Sequence, residues 1–113
     1  MSKFSYDEEI KDIIDSILLE IPDVTPGKMF GMPGYFINGK LFATVFGSSL
    51  VIKLPKDVCD ELIQNRDGFD SFAPLGNKMK EWVVITKDDP ESVEDELDFI
   101  HRSIEFVKSI TKK

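Results

Sequence analysis

The dipeptide Asn38-Gly39 constrains the fold of this chain more than any other feature. It separates two β-prone runs, residues 35–37 and 41–46, and a type I′ turn needs positive φ at both central positions, which Asn and Gly tolerate best. A two-residue antiparallel hairpin is expected there. Residues 28–32 before it and 50–54 after it are β-prone as well, and Gly31, Pro33, Gly34 and Gly47-Ser48-Ser49 supply the breaks. The simplest result is a four-strand antiparallel meander. In 41–46 both alternating sets are largely apolar: Leu41, Ala43 and Val45 on one face, Phe42 and Phe46 with Thr44 on the other. That predicts a central strand covered on both faces. In 50–54, Val51 and Lys53 oppose Leu50, Ile52 and Leu54, which predicts a partly exposed strand nearer the sheet edge.

Helical periodicity flanks the meander. Ser5-Tyr6-Asp7-Glu8 has the form of a capping box, and Ile10, Ile13, Ile14, Ile17, Leu18 and Ile21 then recur at three- and four-residue steps until Pro22. Pro55 suits the first turn of a short helix whose buried stripe is Val58, Cys59, Leu62 and Ile63, with Gly68 beyond its end. Residues 67–77 resemble a loop anchored by Phe69, Phe72 and Leu75, and 79–86 a further strand. Asp89-Pro90 opens the last helix, with Val93, Leu97, Ile100, Ile104 and Val107 as its seam. The expected fold is α+β, an antiparallel β-sheet meander with flanking helices in the order α-β-β-β-β-α-β-α.

At 113 residues the chain is expected to form a single domain, residues 1–113, and its 42% hydrophobic and 31% charged composition is that of an ordinary globular protein. No apolar run approaches the roughly 20 residues a membrane-spanning helix needs, and the first residues lead into acids, so no membrane association and a cytoplasmic location are expected. The lone Cys59 forms no intramolecular disulfide and is read as a small buried residue of a short helix. The net charge of −7 disfavours direct nucleic-acid binding. That average hides a segregation: residues 25–56 carry Lys28, Lys40, Lys53 and Lys56 and no acid, which allows a local cationic surface on an acidic protein.

The chemistry-bearing residues are sparse. The one histidine, His101, lies on the last helix next to Ile100 and is read as a satisfied or solvated helix residue rather than a catalytic base. Without a second His or Cys, a zinc site of ordinary ligand type cannot be assembled within the chain. The run Phe30-Gly31-Met32-Pro33-Gly34 has neither the Walker pattern nor a following helix start, so its glycines are read as turn and packing residues. No catalytic residue, metal ligand or cofactor is expected, and the chain is read as a non-enzyme. The residues left as a contact surface are Lys28, Met29, Met32, Lys78, Met79, Lys80 and Trp82: Met adapts to varied shapes, Trp anchors interfaces, and on a strand Lys78 and Lys80 would share a face.

Met29-Phe30-Gly31, Gly39-Lys40-Leu41-Phe42-Ala43, Leu50-Val51-Ile52-Lys53-Leu54 and Lys78-Met79-Lys80-Glu81-Trp82-Val83, in this order, give the chain a resemblance to the N-terminal domain of the TfoX/Sxy competence-regulator family. It covers residues 10 to 107. The resemblance implies a small α+β domain with an antiparallel sheet. In the longer family members a helical C-terminal domain follows and the protein acts as a transcriptional coactivator, whereas this sequence ends at Lys113. It brings no catalytic residue. The expected function is thus a non-catalytic regulatory or protein-interaction domain with a protein partner of unknown identity. The alternatives are a small-ligand-binding domain with a Met/Trp-lined pocket and, more weakly, a nucleic-acid-associated transcription cofactor. Homodimerisation through a sheet edge or the last helix's apolar seam is compatible with the pattern.

Overall fold

Asp7, rather than Ser5, caps the first helix: its carboxylate accepts from the Glu9 and Ile10 amides at 2.9 and 3.2 Å. The computed structural model describes residues 6–29, 32–73, 76, 79–86 and 90–111, so Ser5 lies outside the described residues. Helix α1 spans Glu8–Leu18 and buries Ile14 and Leu18. It stops before Pro22, whose ring disfavours helical geometry in the residue preceding it, and the chain turns at Asp23 with φ 72°. Ile21 packs on the core from outside the helix.

The meander follows as β1 (Val24–Met29), β2 (Met32–Ile37), β3 (Lys40–Phe46) and β4 (Ser49–Lys53). Asn38 and Gly39 adopt φ 52° and 79°, the positive pair the type I′ turn requires. Helix α2 spans Lys56–Asn65 and buries Cys59 and Leu62, and β5 (Phe69–Ser71) and β6 (Trp82–Ile85) complete the sheet. A 3-10 segment, Pro90–Glu96, leads into α3 (Leu97–Thr111), and the expected Asp89 cap lies outside the described residues. The mixed α+β architecture matches the expected order, with a three-residue strand, β5, inside the segment read as a loop. Leu75, expected to anchor that loop, lies outside the described residues.

The six strands run β1-β2-β3-β4-β6-β5, all neighbouring pairs antiparallel. This corrects the position of β4: it is interior, hydrogen-bonded to β3 and β6, and Val51 is fully buried. The edges are β1, where Pro26 lacks an amide donor and Lys28 is exposed, and the very short β5. Both are devices that discourage edge-to-edge pairing.

Alternation in β3 is also corrected. Tyr35 pairs with Ala43 but Phe36 with Leu41, so β3 carries a bulge at Phe42. A bulge turns two successive side chains toward one side. Phe42 accordingly joins Ala43 and Val45 in the core beneath the helices, while Leu41 faces the opposite side with Thr44. Phe42 is in neither neighbouring register, and the buried Ser103 hydroxyl on α3 donates to its carbonyl at 3.2 Å.

One sheet face, with Tyr35, Ile37, Leu50, Ile52, Val83 and Ile85, packs against the helices. Helix α3 crosses β2, β3 and β4, α1 lies on β3 and the 3-10 segment, and α2 covers β5 and β6. The α3 seam expected from periodicity is largely the one buried: Ile100, Ile104 and Val107, with Val93 ahead of the helix. Full burial of a side chain such as Ile100 contributes about 1.5–3 kcal/mol. On the other face Phe72, just after β5, folds back over the sheet, 5.4 Å from the Phe46 ring and 6.5 Å from Trp82.

Candidate functional site

The expected contact residues do not form one cluster. Lys28 pairs with Pro33 and Met29 with Met32 across the β1–β2 hairpin, while Met79, Lys80 and Trp82 lie at β6. Aligned through Gly34, Thr44, Val51 and Val84, Met32 and Trp82 are three strands and four residue steps apart, about 20 Å at ordinary strand spacings. Met32 is buried, Lys28 is exposed, and Lys78 lies outside the described residues.

Around Trp82 the chain builds a partly open surface. Trp82 opens β6, paired with Lys53 at the end of β4. Its amide donates to the Met79 carbonyl at 3.1 Å, which makes 79–82 a turn, and the Met79 amide donates to the Phe72 carbonyl at 2.8 Å. Strand geometry therefore begins only at Trp82, and the expectation that Lys80 shares a strand face with Lys78 does not apply: Lys80 is an exposed turn residue. Trp82 is half-buried rather than sealed in the core, and Met79 is 41% exposed.

Lys53 joins this surface although sequence reasoning did not single it out as a contact residue. Its Nζ sits 5.1 Å from the Trp82 ring centroid and 3.1 Å from Glu81 Oε1. A cation over an aromatic face is attracted by the ring quadrupole, and an adjacent carboxylate completes the pair. The Glu81 carbonyl also accepts from the Leu54 amide at 3.0 Å, which holds the turn against β4. The sequence signal for Lys53 is the acid-free stretch of 25–56: three of its four lysines, Lys40, Lys53 and Lys56, converge here.

Two adjoining clefts share Lys53 and Trp82. The first, about 270 Å3, extends past Lys40 and Leu41 to Val107 and Ile110 at the end of α3. The second, about 560 Å3, extends past Lys56, Met79, Lys80 and Glu81. Ile110 is 54% exposed, so the first cleft has an apolar outer lip. Lys56 is engaged by Asp60 at 3.1 Å, whereas Lys40 and Lys80 form no ion pair among the described residues. Among the described residues the surface combines four ammonium groups, the carboxylates of Glu81 and Asp60 that pair with two of them, and an apolar floor.

A second polar cluster lies away from this surface. Arg66 pairs with the buried Glu96 at 3.1 Å and stacks on Phe69 and Phe99, with Arg102 near the same Phe99 ring. It clamps the end of α2 to the 3-10 segment and α3. His101 is exposed, and among the described residues no group of three or more His, Cys, Asp or Glu is placed to hold a metal ion. Cys59 is buried, with its thiol directed at the Leu54 carbonyl. No helix among the described residues is long and apolar enough to cross a membrane.

Comparison with models of protein families, with curated proteins and with solved structures finds no match.

Proposed function

We propose that this chain is a non-catalytic, cytoplasmic protein-interaction domain of the TfoX N-terminal kind, with its contact surface centred on Trp82 and Met79 rather than on the Met29–Met32 hairpin. The observation that carries this reading is the half-buried Trp82 held between the Lys53 ammonium and Phe72, with exposed Met79 beside it. Rigid, partly exposed Trp flanked by adaptable Met is the composition of interface anchors. The clefts are open troughs along the end of the sheet, a shape that suits a polypeptide segment better than an enclosed small ligand.

A photo-cross-linking amino acid placed at Met79 tests the reading in cells. One discrete protein adduct is expected, lost in Trp82→Ala, while the same group at Lys28 gives none. Adducts at Lys28 alone would move the surface to the hairpin corner, and none at either position would remove the interaction role.

A further inference from the structure

We infer that the Trp82 groove takes an acidic polypeptide segment bearing an apolar anchor residue, and that Glu81 is an internal stand-in for its carboxylate, occupying Lys53 until the segment arrives. This rests on the interaction reading of the same surface and adds the chemistry of what binds.

Charge complementarity carries the first part. The protein as a whole has net charge −7, yet four lysines, Lys40, Lys53, Lys56 and Lys80, line the two clefts; among the described residues Glu81 pairs with Lys53 and Asp60 with Lys56, which leaves Lys40 and Lys80 in excess. A cationic patch on an acidic protein steers negatively charged segments toward itself, while the acidic remainder of the surface repels other copies of the chain. The lysines ring an apolar floor of Trp82 and Leu41 with Ile110 at its lip, so a ligand of charge alone would leave these apolar groups in water. An aromatic or aliphatic side chain between acids satisfies both.

Geometry carries the second part. The Lys53 side chain is 19% exposed, held by its stem in the sheet, while its Glu81 partner is 46% exposed and sits on a turn. The ammonium is thus fixed at the junction of the clefts and the carboxylate is the movable half. An ion pair whose carboxylate half lies in solvent on a turn is weak, so an incoming carboxylate that also brings an anchor onto Trp82 displaces Glu81.

The test is the binding of a fluorescein-labelled synthetic peptide of Asp and Glu with interspersed Leu and Phe, read by anisotropy. A control peptide has every acid replaced by its amide. The acidic peptide is expected to bind, and to dissociate in about 1 M salt, where the screening length is about 3 Å. Glu81→Gln is expected to tighten binding about fivefold, the equivalent of one exposed ion pair, whereas Lys53→Gln weakens it and Lys53→Arg preserves it. Circular dichroism of each variant separates these effects from misfolding.

If the amide peptide binds equally well through Trp82, the acidic chemistry is wrong and the interaction surface stands. If Glu81→Gln leaves affinity unchanged, the stand-in role is wrong. Displacement of the peptide by a single-stranded oligonucleotide at low salt would assign the groove to nucleic acid, and dimerisation lost in Trp82→Ala would assign it to a second copy. Either overturns the inference, as does the absence of binding by both peptides, which counts against the interaction reading too.

Discussion

The Ser103 hydroxyl of α3 donates to the carbonyl of Phe42, the bulged residue of β3, across 3.2 Å of buried space. The bond fastens the helix layer to the one position of the central strand outside both neighbouring registers. Ser103→Ala leaves that carbonyl without its donor in an apolar setting and is expected to lower stability by about 1 to 2 kcal/mol. Urea denaturation followed by circular dichroism measures the loss, and an unchanged midpoint would show that the bulge needs no support from α3.

Gly27 and Gly34 face each other across β1 and β2, and the Phe36 ring lies over both. A Cβ at Gly27 would approach Phe36 Cε1 to 2.7 Å. Gly27→Ala should cost about 1 to 2 kcal/mol by forcing the ring aside. In a Phe36→Ala background the same change should cost almost nothing. Equal costs in the two backgrounds would place the strain in the backbone instead.

Gly39 has φ 79° with open space where a Cβ would stand, so the demand there is conformational rather than one of packing. Gly39→Ala should destabilise by about 1 kcal/mol through the left-handed backbone, and Asn38→Gly should be close to neutral. The urea midpoints of the two variants give the comparison.

Stability should decline in alkali. Tyr35 is buried and donates to Asp15, and burial followed by that bond pushes its hydroxyl pKa above the usual value of about 10. Lys11 is raised as well, chiefly by its hydrogen bond to Asp15. Both groups keep protons in the folded chain that the unfolded chain releases. Their contribution is therefore complete below about pH 10 and is lost as pH rises beyond it. Tyr35→Phe should flatten the fall between about pH 10 and 11, measured as urea midpoint against pH. A slope identical to that of the unmodified chain would exclude Tyr35 as a source.

Trp82→Ala should cost about 1 to 2 kcal/mol and leave the far-ultraviolet spectrum unchanged. Phe42→Ala, which empties a fully buried site, should cost about 3 to 5 kcal/mol. Global unfolding by Trp82→Ala alone would return this residue to the core.

Elements governed by neighbours in the chain are legible in the sequence. Asn38-Gly39 turns because two successive residues tolerate positive φ, and the α3 seam is buried because Ile100, Ile104 and Val107 recur at helical spacing. The β3 bulge is not legible there, since Leu41-Phe42-Ala43 is apolar in either register and only pairing with Phe36 and the Ser103 donor selects one. Strand β5 is three residues long, below the length at which alternation carries a signal, and is defined by its pairing with β6.

The same division holds for the candidate site. Local composition determines that Trp82, Met79 and an acid-free set of lysines exist, and that the sequence holds one histidine and one cysteine. Which of them meet is a property of strand order. Placing β4 beside β6 brings Lys53 to Trp82 and Glu81, while two intervening strands remove Met32 to the opposite corner. Cross-strand neighbours are chosen by the burial of whole faces against the helices, an energy summed over the sheet that no single segment contains.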